Sequence, residues 1–182
     1  MTDDARELTL AELEAGLDHV RGSPREVGTL EMIVRRPRSG QRELLDAARL
    51  DPADGLLGDR WGAAIPRRGE PLTLMSSRVI GLVARDRARW PLAGDQLYVD
   101  LDLSLDNVPP GTRLAVGPAV LEVSAKPHLG CAKFRARFGL DALRFVNSPL
   151  GIGLRLRGLN ARIVSAGDVR VGDTISKLAA TG

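Results

Sequence analysis

The chain has 182 residues, a formal net charge of +3 and a single cysteine. This length favours one domain with its own hydrophobic core, and a lone cysteine excludes an intrachain disulfide and a metal site made of cysteines alone. The N-terminus lacks the apolar core of a signal peptide and no apolar run approaches the roughly 20 residues of a membrane span, so we expect a globular cytoplasmic protein whose thiol stays reduced.

The first predicted element is an amphipathic helix over residues 9–21. Thr9 and Glu12 have the spacing of a capping box, and apolar side chains recur on one face of the predicted helix. We interpret residues 1–26 as a helical appendage that packs on the domain or on a partner. Residues 27–178 are then the domain itself.

From residue 27 onward, most segments have the composition of short strands. Strands are predicted at residues 27–36, 71–75, 96–105, 113–116, 120–124, 159–165 and 169–175. Apolar and polar residues alternate over 96–105, which predicts a strand with one buried face. Residues 43–50 suit a helix or a strand, and 55–62 suit a glycine-rich loop. Many short strands with few helices predict a mainly β fold, a closed or nearly closed β-barrel.

Three helices are predicted among these strands. The first is capped by Ser76 or Ser77 and runs to about Trp90. The other two follow Pro127, at residues 131–138 and 140–146. The second helix of the three therefore begins at the only cysteine of the chain.

Basic residues concentrate around the last two predicted helices. Between Lys126 and Arg157 the chain carries seven Lys and Arg residues against one acid, Asp141, which gives +6 and leaves −3 for the remainder. A basic surface over the whole protein would indicate nucleic-acid binding, whereas a local concentration of basic residues indicates a binding site for a compact anion. We therefore expect an anionic small molecule as a partner and no nucleic acid. The alternative is a solvated basic face.

Cys131 is the candidate functional residue of this basic segment. A thiol at a helix N-terminus faces the positive end of the helix dipole, and Lys133, Arg135 and Arg137 add positive charge. Both effects stabilise the thiolate, which is the reactive nucleophile and the soft metal ligand. The alternative is a buried structural cysteine.

Other polar residues are candidates for the same site. His128 can act as a base, an anion donor or a metal ligand, although the sequence shows no clear acid to orient it. Arg60 carries the fork of donors that suits phosphate or carboxylate. Two histidines and one cysteine disfavour a zinc site. Neutral hydrogen-bond donors near the basic segment are Asn147, Ser148 and Asn160.

The order of these features resembles the MOSC domain, named for the C-terminal domain of molybdenum-cofactor sulfurases. The matching segments are GDRWG, PLTLMS, GDQLYVDLDLS, NVPPGTRLAVG, AVLEVSAKP, HLGCAKF and GLNARIVSAGDVRVGD. They extend over about residues 27–176, nearly the whole chain. The stretch CAKFRARFGLDALRFVNSPLG is similar to a subgroup of small, stand-alone bacterial members.

This resemblance implies a β-barrel that binds the molybdenum cofactor, a pterin with a phosphate group. It implies that Cys131 either carries sulfur as a persulfide or coordinates molybdenum. The residues that it implies for the phosphate are Lys126, Lys133, Arg135 and Arg137, with Arg60 from the earlier loop. A sulfur-donor or electron-donor protein is then an expected partner. The alternative activity is a molybdenum-dependent reduction of N-hydroxylated compounds.

The sequence departs from the family pattern in two ways. Many relatives carry Gly-Glu-Asn where this chain has Gly94-Asp95-Gln96. The sequence also includes neither the aminotransferase-like domain of the sulfurases nor the N-terminal barrel of the amidoxime-reducing relatives, so we expect no pyridoxal-phosphate site in it. A thiol-dependent lyase or transferase and a non-catalytic anion-binding barrel therefore stay open as alternatives.

Overall fold

The computed structural model describes residues 6–62 and 69–180, so residues 1–5 of the predicted appendage lie outside the described residues. The strands are β1 (Val27–Arg35), β2 (Glu43–Leu45), β3 (Ala47–Asp51), β4 (Gly55–Leu56), β5 (Leu72–Ser76), β6 (Leu97–Asp100), β7 (Arg113–Val116), β8 (Ala119–Val123), β9 (Leu159–Ser165), β10 (Gly167–Arg170) and β11 (Thr174–Lys177). The α-helices are α1 (Leu10–Ala15), α2 (Leu17–Arg21), α3 (Ser77–Ala84), α4 (Ala132–Phe138), α5 (Leu140–Asn147) and α6 (Pro149–Gly153), and a 3₁₀ helix spans Arg87–Ala93.

Seven of the described strands form a closed barrel in the order β1–β11–β7–β8–β9–β5–β6, which returns to β1. All neighbours are antiparallel except β5 and β6, which are joined by a crossover that contains α3 and the 3₁₀ helix. Strand β2 extends the sheet from β1, and β10, β3 and β4 form a small second sheet. The predicted mainly β barrel is confirmed.

Strand β1 is buried on both faces because it separates two hydrophobic cores. Leu30 and Ile33 belong to the core of the barrel, whereas Met32 and Val34 belong to a core shared with the helices. A register shift against β6 between Leu30 and Met32 moves the alternation by one residue. The helices therefore form a layer over one side of the barrel.

The second core fixes the helix that follows the cysteine. Phe134 and Phe138 of α4 are 1% and 2% exposed, and their rings lie 4.9 Å apart between centroids. Phe145 of α5 and Leu13 of α1 belong to the same buried cluster. The apolar face of α4 is thus anchored while its first residues face outward. No helix in the described part of the chain is long and apolar enough to cross a membrane.

Several predicted elements are confirmed. Thr9 and Glu12 form the capping box of α1, with the Thr9 hydroxyl accepting from the Glu12 N–H and the Glu12 carboxylate accepting from the Thr9 N–H. Strands β7 and β8 match the strands predicted at 113–116 and 120–124 within one residue and pair with each other antiparallel. Helices α4 and α5 lie within one residue of their predicted bounds. The ambiguous segment 43–50 forms two strands, β2 and β3.

Five predicted elements need correction. The helix predicted over 9–21 is divided at Gly16 into α1 and α2, and the loop predicted over 55–62 begins with strand β4. The helix that Ser76 caps ends at Ala84 because Arg85 has a φ of +60°, which an α-helix does not accommodate. Residues 96–105 form a strand only over β6, and it is buried on both faces because the helical layer covers Tyr98. The last predicted strand is interrupted by a turn, so β10 ends at Arg170 and β11 begins at Thr174.

Candidate functional site

An open cleft of about 740 Å³ lies beside Cys131. Most of its lining comes from three parts of the chain, the loop between β1 and β2, the loop around Arg60, and residues 126–137, and the rest from residues 93–94, Arg157 and Asn160. The basic residues that line it are Arg36, Arg38, Arg42, Arg60, Lys126, Lys133, Arg137 and Arg157. No carboxylate among the described residues lines it. A cleft lined by charges of one sign attracts ions of the opposite sign.

The loop between β1 and β2 brings two of these arginines to the cleft. Arg35 and Glu43 are opposite each other in the β1–β2 pair and form an ion pair with 2.6 Å between Nη2 and Oε2. This pair closes the hairpin whose loop carries Arg38 and Arg42. The Nε group of Arg42 is buried and has no hydrogen-bond partner among the described residues. An orphan donor in a basic cleft is a suitable group for an anionic ligand.

A buried ion pair attaches the Arg60 loop to the end of β1. Asp59 accepts from Nε and Nη2 of Arg36, each at 3.0 Å, and both side chains are buried. The backbone N–H of Arg60 donates to the carbonyl of Arg36 at 3.0 Å. The guanidinium of Arg36 also stacks 4.0 Å above the ring of Trp61. This bidentate pair fixes the Arg60 loop at the cleft. Because Asp59 neutralises the charge of Arg36, that charge is not available to a ligand.

The remaining cleft cations divide into paired and unpaired groups. Lys126 lies 3.5 Å from Glu70 and Arg157 lies 2.6 Å from Asp95, so both have acidic partners. Burial lowers the pKa of Arg42, and the charge of Arg137 lowers it further. The cations for which no acid among the described residues forms an ion pair are Arg38, Arg42, Arg60, Lys133 and Arg137. These five charges are available to an anion.

Cys131 is the N-cap residue of α4 and its side chain is exposed. Partial burial opposes ionisation of the thiol. The backbone N–H groups of Phe134 and Lys133, together with the charges of Arg157 and Arg137, outweigh this effect and lower the pKa of Cys131. Asn147 holds the preceding residue, because its amide accepts from the N–H of Gly130 at 2.8 Å and donates to the carbonyl of Gly130 at 3.0 Å. The thiol is therefore held at the helix start and inclined to ionise.

A buried polar cluster supports the wall of the cleft next to Cys131. Asp95 is fully buried, with Oδ2 at 2.6 Å from Nη1 of Arg157 and Oδ1 at 2.9 Å from Nε2 of His128. Burial by itself would raise the pKa of Asp95, but the charge of Arg157 and the hydrogen bond from His128 hold it well below its usual range. Arg157 also donates to the carbonyl of Ala93 at 2.9 Å.

His128 is a neutral ring with one assigned tautomer. Burial lowers its pKa below the usual 6.5, and the hydrogen bond to Asp95 offsets this effect only in part. Because the carboxylate of Asp95 can only accept, Nε2 carries the proton and Nδ1 is left as an acceptor. The sequence showed no clear acid to orient His128, and that interpretation is wrong. Asp95 orients the ring, although the two residues are 33 positions apart in the chain.

Comparison with known proteins shows which fold holds this cleft. No protein-family model and no curated protein matches the chain. The structure of YuaD from Bacillus subtilis has a TM-score of 0.61 at 18% identity, over 85% of this chain and 97% of that chain. YiiM from Escherichia coli has a TM-score of 0.56 at 18% identity, over 85% of this chain and 71% of that chain. The fold is of the MOSC type. At this identity the likeness is one of fold alone.

In this MOSC-type barrel, seven of the ten predicted site residues line the cleft: Arg60, Lys126, His128, Cys131, Lys133, Arg137 and Asn160. The other three do not. Arg135 is exposed and lies outside the cleft lining. Asn147 supports the Cys131 loop, and Ser148 caps α6 by accepting from the N–H of Gly151 at 2.9 Å. Local hydrogen-bond partners thus account for Asn147 and Ser148.

Five residues of the cleft or its wall were not predicted from the sequence as site residues: Arg36, Arg38, Arg42, Asp95 and Arg157. The segment RRPRSGQR, residues 35–42, carries four arginines and no acid, which is a basic cluster in its own right. That density is the signal that could have identified the loop. Arg157 was counted in the basic segment, but nothing local indicates that it is buried against Asp95.

Proposed function

We propose that the cleft binds an anionic molybdenum–pterin cofactor, with Cys131 as the ligand of the metal or as the carrier of a persulfide sulfur. The observation that supports this proposal is the juxtaposition of a thiol of lowered pKa with five cations that have no acidic partner among the described residues, in one cleft of about 740 Å³. Few natural ligands need both a soft sulfur ligand and an anion site. The MOSC-type fold supports the same assignment.

The residues present fit such a cofactor. Arg38, Arg42 and Arg60 offer planar forks of donors, which match the oxygen atoms of a phosphate. The buried Nε of Arg42 needs an acceptor that the described residues do not provide. Cys131 offers the one thiol of the chain, which is a soft ligand for a metal. When bound, the cofactor would supply a redox-active metal with sulfur ligands.

The residues of the chain have three tasks in this proposal. The arginines of the two loops bind and orient the anionic group. The backbone N–H groups at the start of α4 lower the pKa of Cys131 and so favour its thiolate, which is its metal-binding and nucleophilic form. His128 presents an acceptor nitrogen beside the same cleft and can take a proton from a bound molecule.

Metal and pterin analysis tests the proposal directly. The wild-type protein, Cys131→Ala and Cys131→Ser are purified from a host that makes the molybdenum cofactor, and molybdenum, pterin and intact mass are measured for each. We expect about one molybdenum per chain in the wild type, or an added sulfur on its mass, and a roughly tenfold loss in both variants, since both remove the one thiol of the chain. Wild-type protein with neither molybdenum, pterin nor added sulfur would contradict the proposal.

A second candidate within the same site is a reductase of N-hydroxylated compounds. The Asp95–His128 pair favours it, because an oriented neutral imidazole adds nothing to anion binding but suits proton transfer. Reduction of an amidoxime is measured with a chemical electron donor for the wild type, Cys131→Ala and His128→Gln. We expect about 100-fold less activity without Cys131 and at least tenfold less without His128. Equal activity in the wild type and Cys131→Ala would exclude the thiol from the reaction.

A further inference from the structure

A second, smaller cavity of about 210 Å³ lies next to the basic cleft. The two cavities share part of their lining, namely Lys126, Pro127, His128, Leu129 and Arg157. The segment that leads to Cys131 is therefore a common wall between them. A molecule in the smaller cavity would lie against the same His128 that faces the cleft.

The lining of this smaller cavity is mainly apolar. It includes Leu105, Leu129 and Ile152, which are 40%, 49% and 45% exposed although large apolar side chains are usually buried. Val146 and Leu159 form its buried part. Exposed apolar side chains grouped around a concave, apolar space are typical of a small-molecule site.

The two cavities differ in how many of their positively charged side chains lack a partner. In the smaller cavity, Arg157 is paired with Asp95. No acid among the described residues forms an ion pair with Arg155, but its Nη1 donates to the carbonyls of Val108 and Leu103, and burial lowers its pKa. Lys126 has Glu70 as its partner. The basic cleft has five cations that form no ion pair with a described acid, so an anion would bind there in preference. The smaller cavity is left for an uncharged molecule.

Two polar groups of this cavity have no partner among the described residues, the buried Nε of Arg157 and Nδ1 of His128, and only the second is an acceptor. His128 gives its Nε2 proton to Asp95, and no described residue donates to its Nδ1. The ring lines both cavities, so this acceptor is available at their common wall. A ligand that carries an N–H or O–H group would satisfy it.

We propose that the smaller cavity binds the apolar body of a small uncharged molecule, about one aromatic ring in size, whose N–H or O–H group donates to Nδ1 of His128. An apolar cavity of about 150 Å³ accepts benzene in another protein, so 210 Å³ is sufficient for a substituted ring. This assignment deepens the proposed function, since it names the class of substrate whose polar end would face the Cys131 side. Binding itself requires neither molybdenum nor pterin.

Phenol and toluene are suitable probes, because they share a ring and differ in the O–H donor. Binding is measured on the purified protein by NMR titration, with wild type compared with His128→Leu. We expect saturable shifts at Leu105, Leu129 and Ile152, and phenol affinity about tenfold lower in the variant, with toluene affinity changed less than about twofold. Equal phenol affinities in the two proteins would overturn the role of His128.

A second pair of variants tests the location of the cavity without touching the polar cluster. Ile152→Trp fills the cavity from α6, whereas Val171→Trp adds the same ring at an exposed apolar position elsewhere. We expect Ile152→Trp to weaken both probes at least tenfold and Val171→Trp to leave them unchanged. Unchanged binding in Ile152→Trp, or benzoate binding here as tightly as phenol, would overturn the proposal. Molybdenum content is measured separately, so failure of the cofactor proposal is distinguishable from failure of this one.

Discussion

Replacing Asp95 by alanine is expected to lower the free energy of unfolding by about 3–5 kcal/mol, the size typical of breaking a buried ion pair. Asp95 is fully buried and Arg157 is 7% exposed on its side chain, with 2.6 Å between Oδ2 and Nη1. The variant would leave the Arg157 charge inside the protein without an acid, and His128 without its acceptor. Urea denaturation followed by circular dichroism measures the effect.

Two other substitutions test whether the loss of stability comes from the buried charge of Asp95. Asp95→Asn keeps the shape and an acceptor oxygen but removes the charge. We therefore expect it to lower the free energy of unfolding by less than Asp95→Ala does. Asp168→Ala removes a carboxylate that is 73% exposed and lies 3.4 Å from Arg49, so its effect should stay below about 0.5 kcal/mol. A loss below about 1 kcal/mol for Asp95→Ala would show that Arg157 does not depend on this carboxylate.

The same cluster predicts that acid destabilises the protein in two steps. His128 has a folded-state pKa below its usual 6.5, so the unfolded chain binds more protons as the pH falls through 6.5 and stability decreases. Asp95 has a folded-state pKa well below the usual 3.8, so a second loss begins as the pH approaches 4. Unfolding free energies measured between pH 8 and pH 3 should show both losses in the wild type and a weaker first step in His128→Gln.

The local features of the site could be predicted from the sequence. Pro127 and Gly139 flank the segment that becomes α4, and these neighbours were enough to place Cys131 at a helix start. The barrel followed from many short apolar segments separated by turns. The prediction for residues 96–105 was wrong because alternation indicates two faces but not what covers them. Here a helical layer covers the Tyr98 face.

Contacts between distant segments could not be predicted in this way. Asp95 precedes β6 and His128 precedes α4, and only closure of the barrel brings the two side chains to 2.9 Å. The arginines of residues 36–42 were missed for a related reason. They lie in the part of the chain that sums to −3, so a charge count over long segments concealed a local cluster whose hairpin faces the basic cleft.

Reversing two charges of that loop should weaken anion binding by about 100-fold. Arg38 and Arg42 line the cleft without acidic partners among the described residues, and each charge-assisted hydrogen bond contributes about 1.5–3 kcal/mol. Two such bonds give about 3 kcal/mol or more, which is about two factors of ten. Calorimetric titration of inorganic pyrophosphate into the wild type and the double variant Arg38→Glu, Arg42→Glu measures the difference.

A control with the same change in net charge separates a local site from a general electrostatic effect. Arg49 and Arg162 are exposed, form ion pairs with Asp168 and Glu122 and do not line the cleft. The double variant Arg49→Glu, Arg162→Glu should therefore bind pyrophosphate within about threefold of the wild type, because charges beyond a Debye length of about 10 Å are screened at 0.1 M salt. Equal losses in both double variants would mean that the anion responds to total charge. A loss confined to the Arg38 and Arg42 variant would place the anion in the cleft that contains Cys131.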